Sequence, residues 1–160
     1  MKKVLALVLV MMMAFCISAM AEETPVLGFL PPAMTSPFYA SCIEGAQPVA
    51  DALGYELKVL APPSEDDYAT QTSMMEDFIT QGVAGIAVCG INLEALKPAI
   101  AKANEAGIPV VMFNTITELD GVDVYAYSGY NQYNGGAKIA DWVNEQTDGT
   151  AKVAIIEGLP

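Results

Sequence analysis

Short apolar runs recur along this chain, and between them the apolar positions spread out to helical spacing. The runs predict strands over Val26–Leu30, Glu56–Leu60, Gly85–Val88, Val110–Phe113, Val124–Ser128 and Val153–Ile156. The intervening stretches predict helices over Phe38–Leu53, Tyr68–Gln81, Leu93–Ala106 and Gly136–Gln146. The first three helices end at Gly54, Gly82 and Gly107, where a left-handed cap costs glycine least. Val110 to Phe113 reads VVMF without polar alternation, the mark of a strand covered on both faces. Regular β–α alternation predicts an α/β fold, a parallel sheet flanked by helices on both faces and joined by right-handed crossovers. Pro48 falls inside the first helix and predicts a kink, and Pro98 suggests a later start for the third helix.

In such a sheet every strand ends on one edge, and ligands bind outside that edge where strand order reverses. The loops expected there are Pro31–Pro37, Ala61–Asp67, Gly90–Asn92, Asn114–Gly121 and Gly129–Asn134. The first of them, PPAMTSPFY, makes Ser36 an N-cap with Pro37 at the first helical position, where its missing N–H costs nothing. Phe38 and Tyr39 then emerge beside the helix N-terminus. Each ring either staples the loop to the core or faces a ligand, whose apolar side it would cover. Asn114 and Thr115 follow VVMF; an amide is both donor and acceptor, which suits a hydroxyl partner, and the same pair also forms turns. Tyr130 and Asn131 follow the fifth run. Tyr125, Tyr127, Tyr130 and Tyr133 lie close together, the first two on one strand face, and Tyr130 is the one expected to meet a ligand or a hinge.

Composition narrows the chemistry. Lys2 and Lys3, an apolar stretch from Val4 to Ile17 and Ser18-Ala19-Met20-Ala21 form a secretory leader cleaved after Ala21. Phe15 ahead of Cys16 argues against a lipid anchor there. Cleavage leaves roughly 140 residues, enough for one domain with its own core. Five lysines then stand against 19 acidic residues, with no Arg or His in the chain. That balance repels nucleic acid and anionic membrane, and the missing Arg favours a neutral ligand over a carboxylate or phosphate. Without His there is no His-activated nucleophile, and neither G-x-G-x-x-G nor a P-loop occurs, so no catalytic residue, cofactor or metal is assigned. Ser64-Glu65-Asp66-Asp67 lacks the spacing of a calcium loop, and Asp67 serves as a helix cap instead. Cys42 and Cys89 read as buried free thiols, with a disulfide between them left open.

From Val26 to Pro160 the chain resembles the periplasmic sugar-binding proteins of the ribose/galactose type, the substrate-binding subunits of ABC importers. EGAQPVADALGYEL, FITQGVAGIAV, AIAKANEAGIPVVMFNT, YSGYNQYNGGAKIADW and KVAIIEG carry the resemblance by their order and spacing. It implies two α/β lobes hinged around the ligand, with residues 22–128 forming the first. Residues 129–160 would be a hinge crossing and the start of an incomplete second lobe, so the chain reads as truncated. It further implies Ser36, Phe38, Tyr39, Asn114, Thr115, Tyr130 and Asn131 as ligand-binding positions. The ribose type has an Asp-Arg pair where Asn114-Thr115 stands here, and an aspartate is common at the place of Tyr130. The galactose type has Asn followed by a different residue, so Asn114 is closer to that type. These departures leave the sugar unidentified and keep a nucleoside or another small polar ligand open. The implied function is capture of a small neutral solute, a sugar, outside the cytoplasm for an ABC permease, without catalysis. The alternative is a sensing module that presents the solute to a chemoreceptor or sensor kinase.

Overall fold

The computed structural model describes residues 24–156. The leader expected over residues 1–21 lies outside the described residues. Five strands, β1 (Val26–Leu30), β2 (Glu56–Val59), β3 (Gly85–Val88), β4 (Val110–Thr115) and β5 (Ala126–Tyr130), form one sheet. Their order is β2-β1-β3-β4-β5 and every neighbouring pair is parallel. Four helices accompany them: α1 (Pro37–Ala52), α2 (Tyr68–Gln81), α3 (Leu93–Glu105) and α4 (Gln132–Thr147).

The expected α/β architecture is present, and the side chains show which helix covers which face. Gly28 turns toward α2: a Cβ there would stand 2.8 Å from a ring carbon of Phe78. Leu30, Ile86, Val88, Val110 and Met112 join Phe78, Met75, Leu96 and Ile100 in the buried cluster between the sheet and the pair α2–α3. Lys102 on α3 reaches Glu76 on α2 at 2.5 Å and links that pair across its solvent side. On the opposite face α1 stands alone, and Ala50 is its one buried residue. Leu27, Phe29, Ala87 and Val111 therefore border an apolar groove of about 720 Å³ beside Val49 and Leu53 of α1. VVMF reflects this asymmetry: Val110 and Met112 are buried, and Val111 and Phe113 only half-buried.

Local signals place the helix ends. Ser36 caps α1, with its side chain accepting from the Phe38 N–H at 3.3 Å and Pro37 opening the helix. Asp67 caps α2 through the Thr70 N–H at 3.0 Å, and Asn92 caps α3 through the Ala95 N–H at 3.0 Å. Gly54, Gly82 and Gly107 all take positive φ, between 66° and 76°, as their cap positions demand. Cys42 and Cys89 are free thiols, but only Cys89 is buried; Cys42, on the lone helix α1, is half-buried.

Several expectations need correction. Pro98 does not mark the start of the third helix: α3 begins at Leu93 and runs through it, as α1 runs through Pro48. Both prolines face solvent, and the buried stripe of Leu96, Ala99, Ile100 and Ala103 holds α3 continuous despite the lost N–H. The fifth strand lies two residues later than predicted, at Ala126–Tyr130. The Asn104 side chain both donates to the Asp123 carbonyl and accepts from its N–H, each at 2.9 Å, which keeps the preceding segment a loop. Tyr125 is consequently outside the strand, and does not share a strand face with Tyr127. The fourth helix starts at Gln132 instead of Gly136, because Asn131 caps it by accepting from the Asn134 N–H. No strand forms over Val153–Ile156, which is irregular and exposed. A strand persists only with a ladder partner, and none of the described strands pairs with this segment.

Candidate functional site

The C-terminal edge of the sheet gathers the sequence-predicted residues, though not all from loops. Asn114 and Thr115 are the last residues of β4, paired with Gly129 and Tyr130 at the end of β5. Asn114 holds φ at +75°, a left-handed conformation that asparagine tolerates better than most residues. The ladder nevertheless continues in register through Asn114 and Thr115.

Phe38, Asn114 and Tyr130 line one hollow of about 400 Å³ together with Phe29, Cys42, Phe113, Ser128 and Gly129. Phe29 and Phe113 stack in its floor with ring centroids 4.7 Å apart. Phe38 is 51% exposed and Tyr130 57%, so both rings still offer apolar surface to an incoming molecule. Tyr39 behaves differently from its neighbour. Its ring meets Phe38 edge-on, at 5.2 Å and 81°, and its hydroxyl lies 3.9 Å from the Cys89 sulfur. Burial pushes the Tyr39 phenol well above its ordinary range, with Cys89 adding to the shift, so it stays protonated. Asn114 Nδ2 also approaches the Cys89 sulfur, at 3.7 Å. Burial likewise raises the Cys89 thiol, and these two contacts pull it back only in part. Cys89 is therefore a neutral, buried contact point between two of the predicted site residues.

Ser36 and Asn131 sit at the same edge, and each already uses a side-chain oxygen as a helix cap. Thr115 joins β5 through its backbone opposite Tyr130. Phe29, Phe113 and Ser128 were not singled out from sequence, although each stands at or near the C-terminal end of a strand, where side chains reach this edge. The larger groove beside α1 is a poor competitor for a polar solute. Tyr125 carries the one side-chain polar atom in its lining, too few to orient a molecule with several hydroxyl groups. The 400 Å³ hollow instead combines rings with an amide, which suits a molecule having both an apolar face and hydroxyls.

Comparison with known proteins gives the same direction. The ribose import binding protein RbsB of Bacillus subtilis is 31% identical over 127 residues, covering 79% of this chain and 40% of the relative. RbsB of Haemophilus influenzae is 28% identical over 159 residues, 99% of this chain and 53% of the relative. The chain thus spans about half the length of the relatives it matches. Among solved structures, a periplasmic solute-binding protein of an ABC transporter from Actinobacillus succinogenes, with bound D-allose, superposes with a TM-score of 0.69 at 25% identity. That match covers 76% of this chain and 44% of the other. GanP, a glucose-galactose binding protein from Geobacillus stearothermophilus, shares the fold with a TM-score of 0.72 at 22% identity, over 81% of this chain and 45% of its own. Residues 27–160 match the periplasmic binding protein domain, and with the five-stranded parallel sheet described above this chain belongs to that family.

Proposed function

We propose that this chain forms one wall of a sugar site in an extracytoplasmic solute-binding protein that delivers its ligand to an ABC importer. The carrying observation is the hollow at the C-terminal edge, where Phe38 and Tyr130 present rings beside the Asn114 amide. Its volume falls within the range of about 300–1,000 Å³ usual for small-molecule sites. The absence of Arg from the chain favours a neutral ligand. The ribose import relatives and the allose-bound structure support a monosaccharide as the ligand class.

In this reading residues 1–21 direct export and residues 22–128 make the first lobe. Residues 129–160 cross toward a second lobe that closes the other side of the site. Two features support the division: α4 buries none of its residues against the sheet, and residues 151–156 join no described strand. Ser36, Phe38, Tyr39, Asn114, Thr115, Tyr130 and Asn131 are the ligand-side positions, with Phe38 as the ring exposed to the sugar and Tyr39 as its anchored neighbour. No observation favours delivery to a receptor or kinase over delivery to a permease.

The test is calorimetric titration of the protein from its complete reading frame with D-ribose, D-allose, D-glucose and D-galactose. Saturable binding of at least one sugar is expected. A ligand at a hundred times its Kd should also raise stability by about 2.7 kcal/mol. No heat and no thermal shift with any of the four at millimolar concentration would overturn the sugar reading.

A further inference from the structure

Gln71 is the buried polar residue of the described fold, 1% exposed, on the stripe of α2 that it shares with Met75 and Phe78. An amide on an apolar stripe is costly to bury unless each of its halves finds a partner. Here both do. Nε2 donates to the Cys89 carbonyl at 2.9 Å and lies 3.5 Å from the Pro31 carbonyl, while Oε1 accepts from the Ile91 N–H at 2.9 Å. Pro31 follows β1, and Cys89 and Ile91 flank Gly90 just after β3. One side chain therefore ties α2 to two adjacent segments of the binding edge.

The tie continues into the hollow. The Cys89 sulfur, on the residue whose carbonyl Gln71 holds, lies 3.7 Å from Asn114 Nδ2 and 3.9 Å from the Tyr39 hydroxyl. The side chains of Leu93 and Leu96 close over this turn, where a Cβ at Gly90 would stand 2.8 Å from Leu93 Cδ2. A carboxylate at position 71 could accept from Ile91 but could donate to neither carbonyl, and a thioether could accept only weakly from Ile91 and donate to neither carbonyl.

We propose that Gln71 is a positioning residue for the solute site. It touches no ligand; it fixes the segment after β3, and through Cys89 it sets where Asn114 and Tyr39 stand. The effect on affinity rests on the sugar-site reading above, whereas the effect on the loop does not.

Two readouts on the complete protein keep these apart. The first is amide hydrogen exchange, without ligand, in peptides covering residues 88–93, compared among wild type, Gln71→Met and a core control on α3, Ile100→Val. Exchange faster by more than tenfold in Gln71→Met, with the control within threefold of wild type, is expected. Equal exchange in Gln71→Met and the control overturns the proposal. The second readout is sugar affinity, which Gln71→Met should weaken by more than tenfold and Ile100→Val by less than threefold. Equal affinity losses in the two variants would overturn the link to the site. If wild type binds none of the sugars, the sugar reading fails and the exchange result alone decides the positioning role.

Gln71→Glu serves if Gln71→Met does not fold. Its carboxyl regains a donor when protonated, and burial raises the pH at which that happens. The ionisable groups at this turn are Cys89 and Tyr39, both raised by burial and neutral below pH 8, with Glu65 and Cys42 acting on both by charge in wild type and variant alike. The variant's excess exchange over wild type, compared at matched pH, should therefore shrink between pH 8 and pH 5. An excess independent of pH would assign Gln71 to packing and overturn the proposal.

Discussion

Phe38 and Tyr39 are consecutive rings with different duties. Phe38 leaves half its surface open over the hollow, and Tyr39 directs its hydroxyl toward Cys89. Phe38→Ala should therefore weaken sugar binding in the complete protein by more than about tenfold, roughly 1.4 kcal/mol, with little change in thermal midpoint. Titration calorimetry and a melting curve on the same sample check both halves of that statement. Unchanged affinity would return the ring to a packing role. Gly28 makes the opposite kind of demand, since the Phe78 ring occupies the space a side chain would need. Gly28→Ala should cost about 1–3 kcal/mol in urea unfolding, because neither β1 nor the buried Phe78 can yield without loss.

At the scale of elements, features written in adjacent residues were legible and features set by distant partners were not. Ser36-Pro37 and Asp67 announce helix starts because a cap bonds two or three residues ahead. Gly54, Gly82 and Gly107 announce helix ends for an equally local reason. The boundaries of β5 escaped because Asn104, on a different element, holds Asp123 out of the ladder. Val153–Ile156 has the composition of a strand, and composition cannot supply the neighbour a strand requires. Gln71 was overlooked for a related reason: its partners lie after two other strands, and the one local clue was its place on the stripe with Met75 and Phe78.

The cap on α2 gives this scale its own test. The Thr70 N–H holds the Asp67 carboxyl below its ordinary value. A carboxylate lowered on folding stabilises the fold above its unfolded value of about 3.9, and that contribution is lost as pH falls through the lower folded value. Asp67→Asn keeps a capping oxygen that does not titrate. The difference in thermal midpoint between wild type and Asp67→Asn should stay constant from pH 8 to pH 5 and shrink below about pH 4. A difference constant down to pH 2 would remove the charged cap from the account.

For the molecule as a whole, the parallel sheet explains why the candidate site was partly readable from the sequence alone. All strand ends meet on one edge, so listing strands also lists the residues that can share a site. Asn114, Tyr130 and the rings after β1 followed from that rule. Phe29 and Phe113 did not, because a strand run reads first as core. The strand order has a further consequence, in time. Interior strand β1 lies between β2 and β3, and its register with β3 joins Leu27 to Gly85, far along the chain. Such pairing closes a long loop before any contact rewards it, so the sheet assembles late and slowly. For a chain exported in the way proposed above, slow closure prolongs the interval in which the polypeptide can still be threaded across a membrane.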